Sequence, residues 1–397
     1  MSAMHIGIVC EEYPPGPHGG AGSFYRDLCE GLVDAGHRAT VVCCHPWMPL
    51  TEATDEVVHG VRVIRIPFVS TRWSHRFKQY VERWRIRQWL RRVHAETPFT
   101  LVETSDYNGM LSRGPGIDVP CIVRIHGSTL LFDTELKRPP STFDVPHEIA
   151  GLRRASHLAA VSRYAAARTL ELAKLNDRAC TLIYGSVDTA FFSPDPATPV
   201  ENGLVVFVNM LSRRKGIEEL IDAINEVFPT RPQARLVAVG PEKEKNVPPY
   251  LEMLKDRVAP ELRSRVSFPG RLPREEVRQW LRRAQVCCFP SYVETFGIAP
   301  VEAMAVGKAV IYTRRGPGPE VIIDGETGLL CDPGIPGEVS AAMAKLLDDG
   351  GLCDRLASAA RAAALQRFDK APWIRKNVDF YAKCGANGSA NGTALPE

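Results

Sequence analysis

The first half of the chain alternates short apolar runs with stretches whose apolar residues recur at helical spacing. The run His5–Cys10 predicts a buried strand, and Phe24, Leu28 and Leu32 then mark one face of a helix that ends at Gly36. Further strands are predicted at Ala39–Cys44, Val61–Ile66, Leu101–Glu103, Cys121–Ile125, Leu158–Val161 and Cys180–Ile183. Helical stretches separate several of them.

A second series of the same kind begins at Leu204. Its predicted strands are Leu204–Val208, Arg235–Val239, Val266–Phe268, Val286–Phe289 and Ala309–Tyr312, and its predicted helices are Ile217–Val227, Arg274–Arg283 and one from about Pro300. Such alternation is typical of parallel sheets covered by helices on both faces. We therefore predict an α/β chain of two Rossmann-like, doubly wound parallel-sheet domains.

The domain boundary is predicted near Ser186–Gly203, a stretch rich in proline and polar residues. Residues 1–188 then form the N-terminal domain, and residues 189–367 form the C-terminal domain. Residues 368–384 predict a final helix that carries Phe368, Trp373, Phe380 and Tyr381. The polar tail 385–397 is predicted to be disordered.

Composition narrows the functional class. The 397 residues are 45% hydrophobic and 24% charged, with a formal net charge of +3. This small excess argues against a dedicated nucleic-acid-binding protein. The N-terminus has no basic segment, so a signal peptide is not predicted. The chain has no run of about 18 apolar residues, so a membrane span is not predicted either.

Eleven cysteines occur, mostly within apolar runs and with no CxxC spacing. An odd number of buried cysteines favours free thiols in a reducing compartment, so we expect a cytoplasmic protein. Adjacent strand residues point to opposite faces, which argues against metal ligation by the neighbouring pairs.

A glycine-rich loop follows the first predicted strand, with Gly19, Gly20 and Gly22 just before a helix. Backbone amides at a helix N-terminus favour a phosphate. The spacing differs from GxGxxG, so a dinucleotide fingerprint is not predicted. A turn that simply requires glycine is the equal alternative.

A basic turn follows the first strand of the second domain, where Arg213, Arg214 and Lys215 precede Gly216 and a helix. Arginine binds phosphate as a fork and lysine as a point charge, so this turn suits a diphosphate. A solvated basic turn is the alternative from these residues alone.

Two carboxylates, Glu294 and Glu302, flank the start of the helix predicted near Pro300. Gly297, Ile298 and Ala299 would present backbone N–H groups there. Carboxylates that accept hydrogen bonds from hydroxyls, beside amides that bind an anion, suit a diphosphate carrying sugars. Charge complementarity at a helix N-terminus could explain Glu302 alone.

Over nearly the whole chain, these motifs together resemble glycosyltransferase family 4, a retaining family of GT-B fold. The matching segments in order are GGAG, GHRATVV, IHGS, AVSRY, SRRKG, ETFGIAPVEAMAVGKAVI with its E-x7-E pattern, and GPGPEVIIDGETGLLCDP. The resemblance implies two domains that face a central cleft, with the last helix returning to the N-terminal domain.

The resemblance also implies roles for individual residues in the second domain. Lys215 would neutralise the leaving diphosphate, and Glu302 would hold the ribose. Glu294 and the amides of Phe296, Gly297, Ile298 and Ala299 would hold the transferred sugar. Arg213 would assist with the donor phosphates. Met210 stands where the family has arginine, and Arg214 is our choice for the compensating charge.

In the first domain, the resemblance implies that His126 contacts the sugar and that Gly19 and Gly20 approach the phosphate. Where the family has N-G-V-D after the last strand of this domain, the chain has Gly185, Ser186, Val187 and Asp188, so its local turn departs from the family pattern. No nucleophile is evident, although Glu12, Glu103 and Asp106 are candidates. No cofactor or metal is expected, because lysine and arginine can serve.

The predicted reaction moves a sugar, with retention, from a nucleoside-diphosphate sugar to a hydroxyl of a small molecule, glycan or lipid. A UDP-sugar is the expected donor and a GDP-sugar the alternative. Acceptor choice is expected in loops 46–56 and 129–145. A nucleotide-sugar epimerase of the same fold is the rival function, while an oxidoreductase is disfavoured by the missing GxGxxG.

A basic aromatic stretch, Arg72–His94, carries Phe77, Tyr80, Val81 and Trp84 on one helical face. Such a helix could lie on an anionic membrane surface or line an acceptor site. The alternative is a surface helix that packs its aromatic residues on the sheet.

Overall fold

The computed structural model describes residues 3–16, 19–44, 52–67, 75–242 and 249–386. The chain divides into two units, the first comprising residues 1–185 with 371–397 and the second residues 186–370. Residues 387–397 of the predicted disordered tail, residues 46–51 of a predicted acceptor loop, and residues 72–74 of the basic stretch lie outside the described ranges.

The N-terminal unit is built on a sheet of eight strands in the described part of the chain. They are β1 (His5–Cys10), β2 (Arg38–Cys43), β3 (Thr54–Val58), β4 (Val61–Arg65), β5 (Leu101–Ser105), β6 (Cys121–Ile125), β7 (His157–Ala160) and β8 (Thr181–Leu182). Their order across the sheet is β3-β4-β2-β1-β5-β6-β7-β8. All neighbours are parallel except β3, which runs antiparallel to β4 at the edge.

Helices cover this sheet. They are α1 (Gly20–Asp34), α2 (His75–Glu96), α3 (Thr129–Glu135), α4 (Asp144–Arg154) and α5 (Arg163–Leu172). Ile86, Leu90 and Val93 of α2 join the core formed by the strands. Phe77, Tyr80 and Trp84 remain 42%, 43% and 60% exposed. Trp89 of the same stretch packs partly buried against this core, as the packing alternative predicted, whereas Phe77, Tyr80 and Trp84 are partly exposed.

The C-terminal unit is built on a sheet of six parallel strands among its described residues. They are β9 (Leu204–Val208), β10 (Arg235–Val239), β11 (Val266–Gly270), β12 (Val286–Phe289), β13 (Ala309–Thr313) and β14 (Leu329–Cys331). Their order across the sheet is β11-β10-β9-β12-β13-β14. Counted within this unit, the order is 3-2-1-4-5-6, which is that of a doubly wound nucleotide-binding sheet.

The helices of this unit are α6 (Ile217–Val227), α7 (Tyr250–Arg257), α8 (Arg274–Arg283), α9 (Ile298–Ala305), α10 (Gly318–Val321), α11 (Glu338–Asp348) and α12 (Gly350–Arg367). Alternate residues of β9, β10 and β12 share one core with the apolar faces of α6 and α11. Both units confirm the predicted α/β class with parallel sheets. No helix in the described ranges is long and apolar enough to cross a membrane.

The last helix, α13 (Lys370–Ala386), belongs to the N-terminal unit from residue 371 onward. A fully buried polar network attaches it to the sheet. Arg124 of β6 donates to Glu103 of β5 at 2.7 and 2.9 Å and to Asn377 Oδ1 at 2.8 Å, while Tyr381 donates to Glu103 at 2.8 Å. Hydrogen bonds between residues distant in sequence therefore attach α13 to the sheet.

Candidate functional site

The site in the C-terminal unit lies where the strand order reverses, between β9 and β12. In open α/β sheets ligands bind outside the carboxyl ends of strands at such a point. The loop after β9 carries Arg213, Arg214 and Lys215, and the loop after β12 carries Glu294. The sheet topology thus brings together two predicted motifs that stand 79 residues apart.

Lys215 and Glu294 form a buried ion pair across these two loops. The Nζ atom of Lys215 donates to Oε1 of Glu294 at 2.6 Å, and the two side chains are only 9% and 7% exposed. Ser291 Oγ donates to the same oxygen at 3.1 Å. Ser291 is buried and was not among the predicted site residues; its small polar side chain gave no pattern that could distinguish it.

The charge state of Glu294 follows from its neighbours. Burial raises the pKa of this carboxyl, but the positive charges of Lys215 and Arg214 and the hydrogen bonds from Lys215 and Ser291 together outweigh burial. The net pKa of Glu294 lies below its ordinary value. Glu294 is therefore an ionised hydrogen-bond acceptor at neutral pH.

Gly216 allows the two loops to approach each other. Its φ of +71° is in the left-handed region, and a Cβ atom there would lie 1.8 Å from the carbonyl oxygen of Pro290. The backbone N–H of Tyr292 also donates to the carbonyl of Arg214 at 2.9 Å. Only glycine at position 216 therefore fits this loop pair without a backbone shift.

Helix α9 begins at Ile298, two residues before the predicted start. Gly297, with φ +88°, is its N-cap, and its missing side chain leaves room for the Tyr312 hydroxyl. Tyr312 donates to the carbonyl of Phe296 at 3.0 Å, which holds the turn in place. The predicted amides of Gly297, Ile298 and Ala299 thus lie at the helix start, where N–H groups have no intrahelical acceptor.

The sequence predicted Glu302 in the first turn of this helix, and that position is wrong. Glu302 is the fifth residue of α9 and lies in its second turn rather than its first, because the helix starts earlier than Pro300. The side chain of Phe296 is buried against the ring of Phe368, with ring centroids 5.6 Å apart. The prediction for Phe296 concerned its backbone amide, so burial of the ring does not contradict it.

The three basic residues of the β9 loop differ in their surroundings. Arg213 is 65% exposed and pairs with Glu218 of α6 at 2.9 Å. Lys215 is buried against Glu294, and the charge of Arg214 acts on that same carboxyl. The structure therefore groups Arg214 with Lys215 and places Arg213 at the solvent-exposed edge.

In the N-terminal unit, helix α1 begins at Gly20 with Gly19 as its N-cap. Gly20 and Gly22 therefore lie within the first turn of the helix, and not just before it as the sequence predicted. The amides of Gly19 and Gly22 both donate to Oε1 of Glu12, at 2.7 and 3.2 Å. The carboxylate of Glu12 thus binds the Gly19 amide, which the resemblance assigned to a donor phosphate.

His126 follows β6, and its ring packs against Phe24 and Tyr25 with centroids 4.5 and 5.3 Å away. Burial and, to a smaller extent, the nearby charge of Arg124 lower the pKa of His126 to about 3. Its imidazole is therefore neutral at physiological pH and can exchange hydrogen bonds without carrying charge.

Two family models match the chain. The model "Glycosyltransferase Family 4" matches residues 18–191, and "Glycosyl transferases group 1" matches residues 188–363. The chain belongs to the family 4 glycosyltransferases.

Full-length relatives agree with this assignment. A phosphatidyl-myo-inositol mannosyltransferase of Mycolicibacterium smegmatis is 28% identical, over 93% of this chain and 90% of its own length. A glycogen synthase of Mycobacterium tuberculosis is 27% identical, over 92% of this chain and 91% of its own.

Solved structures share the fold. Sucrose-phosphate synthase from Thermosynechococcus elongatus has a TM-score of 0.82 at 22% identity, covering 96% of this chain and 99% of that one. Anabaena HepE in complex with UDP-glucose has a TM-score of 0.76 at 20% identity, covering 96% and 100%. These similarities confirm the predicted GT-B fold.

The three candidate nucleophiles of this glycosyltransferase all have structural partners. Glu12 accepts from the amides of the α1 start, and Glu103 pairs with Arg124. Asp106 accepts from the amides of His126 and Gly127 at 2.8 and 3.2 Å. Each carboxylate therefore has a role in holding backbone or core.

Within the described ranges, no group of three or more histidine, cysteine, aspartate or glutamate residues could hold a metal ion. All eleven cysteines are free thiols, as predicted. Burial raises the pKa of the Cys121 thiol to about 12, so this thiol is protonated at neutral pH.

Proposed function

We propose that this glycosyltransferase moves a sugar from a nucleoside-diphosphate sugar to a hydroxyl of its acceptor, with retention of configuration. The observation that carries the proposal is the buried contact between Lys215 and Glu294 beside the start of α9. A nucleotide sugar has an anionic diphosphate at its centre and hydroxyl groups on both sides. The cation and the backbone amides at this switch point suit the diphosphate, and the ionised carboxylate suits the hydroxyl groups.

Departure of a nucleoside diphosphate concentrates negative charge on the leaving phosphate. Lys215, Arg214 and the amides at the start of α9 would stabilise that charge without reorganising, because the fold already holds them in place. Glu294, kept ionised by its neighbours, would accept hydrogen bonds from sugar hydroxyls. Glu302, in the second turn of α9, is our candidate for the ribose.

Retention without a protein nucleophile is supported by the structural roles of Glu12, Glu103 and Asp106. We propose that the acceptor attacks the face from which the diphosphate leaves, so that the departing phosphate oxygen takes the acceptor proton. The new bond joins the acceptor oxygen to the sugar carbon as the carbon–phosphate oxygen bond breaks. Neutral His126 would contribute a hydrogen bond to the sugar.

A UDP-sugar is the donor that we propose first, with a GDP-sugar as the alternative. Anabaena HepE, whose structure was solved with UDP and glucose and with UDP-glucose, supports the first choice. The experiment is a thermal-shift panel of UDP, GDP and ADP and their glucose or mannose conjugates. A ligand at one hundred times its Kd stabilises the folded state by about 2.7 kcal/mol.

We expect one uridine or guanosine series to raise Tm and the adenosine series to leave it unchanged. Incubating the stabilising nucleotide sugar without acceptor separates transfer from epimerisation, because only an epimerase converts the sugar under those conditions. A panel in which no nucleotide or nucleotide sugar raises Tm would contradict the proposed donor class.

We also propose a cytoplasmic enzyme whose helix α2 contacts an anionic membrane surface. Exposed Phe77, Tyr80 and Trp84 occupy one face of this arginine-rich helix. Aromatic side chains insert at lipid headgroups while cationic side chains attract anionic lipid. The inositol-lipid substrate in the name of the mycolicibacterial relative is compatible with this proposal.

Replacing both Phe77 and Trp84 with alanine is expected to abolish most co-sedimentation with phosphatidylglycerol-containing vesicles, because the side chains that insert at the lipid headgroups are lost. Val57→Ala is the matched control, since Val57 is an exposed apolar residue of the same unit but lies on β3. Vesicle binding by the double variant equal to that of Val57→Ala would exclude α2 as the contact.

A further inference from the structure

The two carboxylate oxygens of Glu294 have different surroundings. Oε1 accepts from Lys215 Nζ at 2.6 Å and from Ser291 Oγ at 3.1 Å. Within the described part of the chain, Oε2 accepts no hydrogen bond, and it is not among the enclosed polar atoms that lack a partner. A carboxylate oxygen has about two lone-pair positions, so Oε1 is fully used and Oε2 is the oxygen left for a ligand.

We propose that Ser291 is a positioning residue of this glycosyltransferase, which fixes the Glu294 carboxylate so that Oε2 faces the hydroxyl groups of the transferred sugar. The inference rests on the proposed transferase function and deepens it by adding a residue that was not among the predicted site residues. The Ser291 side chain is fully buried, so it acts through Glu294 and does not touch the donor itself.

Lys215 alone would not fix the orientation of this carboxylate. A lysine ammonium group is a point charge on a flexible stem, so it attracts a carboxylate without setting the plane of the group. Lys215 reaches Oε1 from the loop after β9, whereas the Ser291 hydroxyl reaches it from the loop after β12. Two donors from different segments together determine which oxygen is turned to the ligand.

The segment around Ser291 is itself held in place, as a positioning residue requires. The Ser291 N–H donates to the carbonyl of Phe289 at 2.9 Å. The next residue, Tyr292, donates its N–H to the Arg214 carbonyl at 2.9 Å and its hydroxyl to Glu219 of α6 at 3.0 Å. Hydrogen bonds on both sides therefore restrict the movement of the Ser291 hydroxyl relative to the basic turn.

Burial makes the contact between Ser291 and Glu294 difficult to replace. Ser291 is 0% exposed and the Glu294 side chain is 7% exposed, so water cannot readily take the place of the hydroxyl. Hydrogen bonds to ionised groups are also stronger than those between neutral groups. Ser291→Ala removes only the hydroxyl oxygen, so its main effect should be a less well oriented carboxylate.

Calorimetric binding of donor probes to Ser291→Ala tests the inference. The probes are the UDP and GDP conjugates of glucose and mannose, each compared with UDP or GDP alone. We expect Ser291→Ala to weaken nucleotide-sugar binding about tenfold, as the loss of one hydrogen bond to a charged group does, and free-diphosphate binding by less than about twofold. Ser340→Ala is the matched control and should change neither, because this buried serine donates to the Gly337 carbonyl at the start of α11.

Deoxy analogues separate the orientation of Glu294 from a general packing defect. Each analogue of the nucleotide sugar that binds lacks one sugar hydroxyl. The analogue without the hydroxyl bound by Oε2 should bind equally to Ser291→Ala and to the unmodified protein, because the interaction that Ser291 supports is already absent. A packing defect would instead weaken the binding of every analogue by the same factor.

The pH dependence of binding gives a second measurement. Burial raises the pKa of Glu294, and the charges of Lys215 and Arg214 with the hydrogen bonds from Lys215 and Ser291 lower it. The charge of Glu294 also acts on Tyr312 of β13, whose pKa is raised by burial and then by this charge. Ser291→Ala removes one lowering effect, so the pKa of Glu294 should rise. On acidification, nucleotide-sugar binding should therefore be lost at a higher pH in this variant than in the unmodified protein.

Unaltered nucleotide-sugar binding by Ser291→Ala, or equal weakening for nucleotide sugar and free diphosphate, would overturn the proposal. So would an effect of the substitution that persists with every deoxy analogue. Each of these results, in a protein whose unmodified form binds a nucleotide sugar, rejects the positioning role alone. Failure of the unmodified protein to bind any of these probes would instead reject the proposed donor function.

Discussion

Lys215→Ala is expected to lower kcat by about 10²–10³, the usual effect of removing one preorganised stabiliser of developing negative charge. The side chain is almost fully buried and held at 2.6 Å from Glu294, so solvent cannot readily supply a substitute cation. The effect should appear in kcat more than in donor affinity, because the charge on the diphosphate grows as the glycosidic bond breaks. Steady-state kinetics with saturating donor measures it.

Arg213→Ala is the matched control for Lys215→Ala. It removes a cation from the same turn, but one that is 65% exposed and paired with Glu218. We expect its kcat to stay within about threefold, since exposed charges are strongly screened by solvent. Near-normal turnover of Lys215→Ala, or equal losses in the two variants, would refute the assigned role.

Lys215→Ala should also change how the stability of the protein depends on pH in the acid range. The folded-state pKa of Glu294 lies below its ordinary value, so this carboxylate stabilises the fold above that ordinary value. The stabilisation is lost as the pH falls through the folded-state pKa. Lys215→Ala removes a principal source of the lowering, so its urea midpoint should depend less on pH across the acid range.

Arg124→Ala is expected to destabilise the N-terminal unit by about 3–5 kcal/mol, as breaking one side of a buried ion pair does. Arg124 and Glu103 are both 0% exposed and share two hydrogen bonds. Without the guanidinium, Glu103 would keep its bond from Tyr381 but lose its buried counter-charge. Urea denaturation measures the loss, and hydrogen exchange in α13 should rise because Oδ1 of Asn377 also loses its donor.

A double variant distinguishes charge from packing in this network. Replacing Arg124 with methionine and Glu103 with leucine removes both charges while filling much of the volume, so we expect recovery of more than half of the lost stability. Full stability of Arg124→Ala alone would contradict an essential pairing. A double variant that is no more stable than Arg124→Ala would show that the hydrogen bonds, rather than the unpaired charge, dominate.

Regular elements with strong periodicity were predictable to the residue. Ile217–Val227, Arg235–Val239 and Arg274–Arg283 have the bounds that their patterns predict. Strand β3 was missed because it lies at the sheet edge, where Thr54–Val57 are exposed and no alternating apolar pattern is required. The early start of α9 was missed because its N-cap, Gly297, depends on a contact with Tyr312.

The candidate site was predictable in its residue types but only partly in its partners. The charges of Lys215 and Glu294 were evident beside strand ends, yet their mutual contact depends on β9 lying next to β12. The glycine-rich loop was evident too, whereas the use of its amides by Glu12 was not. The sequence shows which hydrogen-bonding groups a turn contains. It does not show which residue of the folded protein binds them.

Periodicity and local chemistry by themselves determined the parallel α/β class, the two strand series and the motifs that identify the family. Those properties depend on burial of alternate or helical faces and on turn geometry, which act over a few residues. Only the tertiary structure decided the Lys215–Glu294 contact and the Arg124 network with α13. Each of these joins side chains from distant segments, because strand order rather than sequence order sets which carboxyl ends are neighbours.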